Sequence, residues 1–154
     1  MLCILIAAII SGAAALSVSR ATFSGVPLLE PNQPPIMGQV TFVQGLPNDA
    51  RTLVTCSIVS GLVDQPIFAG QTGFFMQVVN GRVRNGACPL RDDVYSFLGT
   101  HRRLDALPSG ATAPEQFYVD DVQVSDTSDK AVVIVRSRGG AGAIVACANI
   151  DLVF

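Results

Sequence analysis

Strand-length runs of β-branched and aromatic residues, each cut off by glycine, proline or asparagine, recur along most of this 154-residue chain and restrict its fold class. From Gly38 to Gln44, Val40 and Phe42 alternate with Thr41, and a turn sequence over Gly45 to Asp49 closes the run. Arg51 to Ser60 reads as the next strand, and Gly61 to Pro66 breaks it. Phe74 to Val79 runs into the turn dipeptide Asn80-Gly81, and Asn85-Gly86 follows shortly after. Gln116 to Ser125, Ala131 to Arg136 and Ala143 to Val153 complete the set, whereas Cys88 to Gly110 lacks a clean period and reads as loop. Gly139, Gly140 and Gly142 form no phosphate loop, since no helix pattern or Lys-Ser/Thr follows them; they read as the turn before the last strand. Short strands at this spacing predict an all-β chain of antiparallel strands, a sandwich or a barrel. With 14 glycines and 9 prolines, few segments suit a helix.

The first residues follow a different rule. Met1 to Ala15 carries no charged side chain, is mostly apolar and ends in small residues, the pattern of a secretory signal cut near Ala15. The rival reading is a signal anchor, for which the apolar run is short against the roughly 20 residues a membrane span needs. Residues 16–36 read as an N-terminal extension, because Pro27, Pro31, Pro34 and Pro35 suit no central strand; an edge strand is expected only around Ala21 to Ser24. The main domain is expected over residues 37–154. The formal charge of −2 gives no general attraction to nucleic acid or to a membrane surface after cleavage.

Secretion alters the reading of the cysteines. Cys3 leaves with the signal, and Cys56, Cys88 and Cys147 stay in an oxidising compartment, where three pairings are open. Cys56 sits in an apolar strand pattern and reads as a small buried hydrophobe, with an intermolecular disulfide as the alternative.

Gly73-Phe74-Phe75-Met76-Gln77, the preceding strand pair, Cys88 soon after, and the closing run Val145 to Val153 together resemble the copper/zinc superoxide dismutase family over roughly Met37 to Val153. The resemblance implies a Greek-key β-sandwich or flattened barrel of about eight antiparallel strands, immunoglobulin-like in architecture. It also implies a Cys88–Cys147 disulfide and suggests a homodimer involving the last strand. Where the family has its first two copper ligands this chain has Phe75 and Gln77; the metal-bridging position falls at Val94, the last copper ligand at Arg136, and the substrate-attracting arginine at Ile144. The chain has one histidine, His101. A copper or zinc centre of this type needs several imidazoles or thiolates. The expectation is therefore a pseudoenzyme with no metal, no other cofactor and no catalytic residues, used as a secreted binding or decoy module. An active dismutase and an extracellular structural protein are the competing readings.

Two features remain. His101 and Asp105 faintly echo the family's zinc-ligand stretch and would make at most a weak metal site, His101 reading rather as a solvated loop residue. Nine arginines against one lysine include Arg82, Arg84, Arg102, Arg103 and Arg136 around the former metal face, with Arg91 and Arg138 beside them. Arginine forks suit carboxylates and phosphates, so these five form a candidate surface for an acidic protein or other anionic partner. Pairing with nearby aspartates is the plainer alternative.

Overall fold

The computed structural model describes residues 16–26, 33–45, 50–63, 73–99, 102–138 and 141–153. The Met1–Ala15 signal expected from the sequence, and His101, lie outside them. Alternating apolar and polar residues form strands β1 (Ser17–Ser24), β2 (Met37–Gln44), β3 (Thr52–Ser60), β4 (Gly73–Asn80), β5 (Val94–Ser96), β6 (Arg103–Leu104), β7 (Glu115–Val119), β8 (Lys130–Arg138) and β9 (Ala141–Leu152). They run β5-β4-β8-β9-β1-β2-β3-β7, with β6 beside β4, and every pairing is antiparallel. The chain is thus all-β, a sheet curled into a half-barrel or flattened sandwich. The β3–β4 and β7–β8 connections pass between distant positions in the strand order, the Greek-key element of the topology.

Curling depends on β9. Its residues up to Asn149 pair with β8, and Ile150 to Leu152 pair with β1, so one long strand belongs to both halves of the sheet. The inner faces meet in one core that includes Phe42, Val54, Phe74, Met76, Ile134 and Ile150. At the start of β2 the ladder shifts register at Gly38, whose φ of +153° and lack of a side chain let Ser57's carbonyl approach where a Cβ would collide.

β1 corrects the reading of residues 16–36. It is no edge strand and no extension, but lies between β9 and β2, with register from Ser17↔Gln44 to Ser24↔Met37. The prolines that argued against a central strand all follow it, so every β1 residue retains its backbone N–H. Ser19, Ala21 and Phe23 face inward and are buried. Two smaller corrections have local causes. The expected loop from Cys88 to Gly110 contains β5 and β6, which are too short to show a period. The expected strand from Gln116 to Ser125 stops at Val119, and the chain turns through a short 3₁₀ segment at Val124–Asp126. That turn is tied to the sheet end by Thr52 Oγ1 donating to Val122 O at 2.6 Å and by Gln44 accepting from Val124 N at 3.0 Å.

A second, smaller apolar layer covers the outer face of β4, β8 and β9. Val79, Ala131, Val133, Val135 and Cys147 point outward there, and Val83, Cys88 and Ile144 pack over them. The segment after β4 folds back across this face. Asn149 holds it by accepting from Val83 N at 2.7 Å. Cys88 and Cys147 stand at disulfide-bonding distance, Cα to Cα 5.9 Å. Arg91 donates to the carbonyl of Gly142, where the missing side chain leaves room for the guanidinium.

Candidate functional site

Strand parity decides which way the residues at the expected ligand positions face. In β4, Phe74, Met76 and Val78 point into the core, so Phe75, Gln77 and Val79 point out, opposite Val135, Val133 and Ala131 of β8. Phe75 and Gln77 therefore lie on the outer face, where the folded-back segment covers the apolar layer. Gln77 is buried there and donates through Nε2 to the carbonyl of Arg91 at 3.1 Å.

Arg136 does not join them. In β8 it shares the inner parity of Val132 and Ile134, pairs with Phe74, and is only 1% exposed. Its guanidinium lies over the Phe74 ring, 5.5 Å from the centroid. The run Val132 to Val135 is apolar on both faces, so its sequence gives no hint of parity; the register against β4 supplies it. Val94 sits in β5 at the sheet edge and Ile144 in the outer apolar layer. Among the described residues, no group of three or more His, Cys, Asp and Glu side chains converges as metal ligands would.

The five-arginine surface is corrected as well. Arg82 follows the Asn80 end of β4, whereas Arg102, Arg103 and Arg136 adjoin its Gly73–Met76 end, about 20 Å away at the usual rise per strand residue. Arg82 is engaged by Asp151 at 2.6 Å and by the carbonyls of Ser128 and Ile150. Arg102 pairs with Glu115, and Arg103 stands 3.7 Å from Asp105. Arg84 is exposed at a tight hairpin, its backbone exchanging hydrogen bonds with Ala87. One is in the core, three have carboxylates, and the group spans two ends of a strand. Pairing with a nearby aspartate, the plainer alternative, accounts for Arg103 alone, since Arg82 has the sequence-distant Asp151 and Arg102 a glutamate.

The outward side of the other half of the sheet carries a feature the sequence reading missed. Val153 N donates to Val18 O, and the ladder then aligns Val18↔Val43↔Leu53↔Tyr118. Four adjacent strands and the residue that follows β9 thus place Val153, Val18, Val43, Leu53 and Tyr118 in one row on a face that otherwise carries residues such as Arg20, Thr41, Thr55 and Gln116. The first four are half-buried, and Tyr118 is 59% exposed with Arg51 over its ring at 4.9 Å. Each residue is an ordinary outward position in its own strand; only the register joins them. An apolar row at this place departs from the polar alternation of a solvent-facing antiparallel sheet. Beside the last strand, Thr22, Val26, Val83, Ala148, Asn149 and Asp151 line a shallow depression of about 250 Å³.

Comparison with protein-family models and with curated proteins finds no match for the chain.

Proposed function

We propose that the chain is a non-enzymatic binding module, a superoxide dismutase-like domain that keeps a Greek-key β framework without the metal chemistry and works outside the cell. The observation that carries the binding reading is the row Val153, Val18, Val43, Leu53 and Tyr118 across the solvent side of the sheet. Its partner presents a complementary apolar strip to this row, with Tyr118 as the exposed aromatic anchor and the exposed Arg20 on the same face beside it. Phe75, which cannot ligate, and Gln77, buried with its amide donating to the carbonyl of Arg91, support the reading without dismutation. The Cys88–Cys147 pair is compatible with an oxidising compartment.

The test is a double variant, Leu53→Lys with Tyr118→Ala, set beside the unaltered protein in capture experiments from extracellular fluid, with copper and zinc supplied to both in a dismutation assay. We expect the variant to fold, to lose a partner that the unaltered chain holds, and both proteins to show only background dismutation. Identical capture by both would remove the row as the binding site, and dismutation with stoichiometric copper would return the active-enzyme reading. A homodimer built on the last strand is the one partner that needs no second gene product; sedimentation across a concentration series reports it. An anionic partner is the second reading, favoured by exposed Arg84, which has no carboxylate against it among the described residues.

A further inference from the structure

The half-barrel has a seam. The strand order ends at β5 and β6, beside β4, on one side and at β7 on the other, and no ladder joins the two ends among the described residues. Side chains cross instead. Arg102 is anchored to the first side by its backbone, since its carbonyl accepts from Met76 N at 2.8 Å and its N–H donates to Phe97 O at 3.3 Å. Its guanidinium reaches the second side, where it donates to the Glu115 carboxylate and lies over the Phe117 ring, 4.0 Å from the centroid. Further along the seam, Gln123 N donates to the Tyr95 hydroxyl at 3.4 Å. Behind this crossing, Cys56 pairs in register with Glu115 and is 1% exposed.

We propose that Arg102 is a strap across this seam and that β7 opens as a local unit when the strap is released. β7 has only a five-residue register with β3 on its other edge, from Thr52↔Val119 to Cys56↔Glu115. The strap is a single charge-assisted hydrogen bond to a partly buried carboxylate, with side-chain exposures of 32% and 22%, and its guanidinium is stacked on an aromatic face. Removing one partner leaves the other charge without its counterpart in a poorly solvated place. The released strand offers an unpaired edge, and the Cys56 thiol behind it reports each opening.

The experiment follows Cys56 labelling by a thiol reagent in the intact folded protein, together with amide exchange, from zero to moderate urea. In the unaltered chain we expect labelling and β7 amide exchange to be faster than exchange in β8 and β9, with a shallow urea dependence, because a local opening exposes little surface. Arg102→Ala and Glu115→Gln should each accelerate labelling about tenfold, and the double variant should add little more. A urea dependence equal to that of the β8 amides would mean that Cys56 is reached only by global unfolding, and unchanged labelling in both single variants would mean that the strap bears no load. Either result overturns the proposal. Glu115→Gln keeps the shape of the side chain, so the question stays answerable if Arg102→Ala does not fold.

Discussion

Cys56 shows how one residue couples the interior to solution conditions. Burial, with the Glu115 carboxylate beside it, pushes its thiol from an ordinary 9.0 up to about 12, against an opposing contribution from Arg102. A raised thiol pKa means that the fold favours the neutral form. Its contribution to stability is therefore whole below about pH 9, where the unfolded thiol is also neutral, and declines as pH rises from about 9 toward 12. In that window the unfolded state releases a proton that the folded state retains, at up to about 1.4 kcal/mol per pH unit. Urea midpoints at about pH 8 and about pH 10 should fall more for the unaltered protein than for Cys56→Ala, which lacks the group. Equal falls would place the thiol in contact with water. At this scale the sequence reading of Cys56 as a small buried hydrophobe agrees with its place in the core, whereas Arg136 escaped it. An arginine ending an apolar run looks like the return to solvent, and only pairing with Phe74 turns it inward.

Elements were legible where local pattern and local chemistry agreed. β2, β3, β4 and β8 were readable because alternating or continuous apolar residues ended at glycine or asparagine, and β9 because its apolar run follows the glycines at 139 and 140. β5 and β6 were not, since three-residue and two-residue strands have no period and exist only through pairing with β4. β1 was not legible, because the proline-rich stretch that follows it suits no central strand, although the strand itself contains no proline. Its place between β9 and β2 carries an expectation of its own. Deleting residues 16–24 removes Ala21 and Phe23 from the core and leaves two strand edges unpaired, so the shortened chain should lose its cooperative unfolding transition. A shortened chain that melts sharply, near the original temperature, would restore the view of these residues as a dispensable extension. The apolar row depends on the same strand. Val18 contributes its second member, and no strand taken singly reveals that five outward residues will align.

For the molecule as a whole, the question is what holds an open half-barrel in one shape. Its inner core is continuous, but the outer layer over β4, β8 and β9 depends on a segment that folds back after β4 and touches the sheet through few groups. Asn149 and Arg82 fasten that segment with hydrogen bonds, and the Cys88–Cys147 pair adds a covalent tie across a sequence separation of 59. A loop of that length contributes roughly 4 kcal/mol by restricting the unfolded chain, in the chain-entropy account. The single replacements Cys88→Ser and Cys147→Ser, and the double replacement, should therefore each lower the melting temperature by about 10 °C. The two singles should lose nearly the same amount, and the double little more, because either single change already removes the bond. Each single variant should also release one titratable thiol in addition to Cys56. Calorimetry and thiol counting on the same samples check both statements. A fall of less than about 2 °C in all three variants would mean that the outer layer holds the segment without the covalent tie, and peptide mapping that joined Cys56 to either partner would contradict the register that buries it in β3.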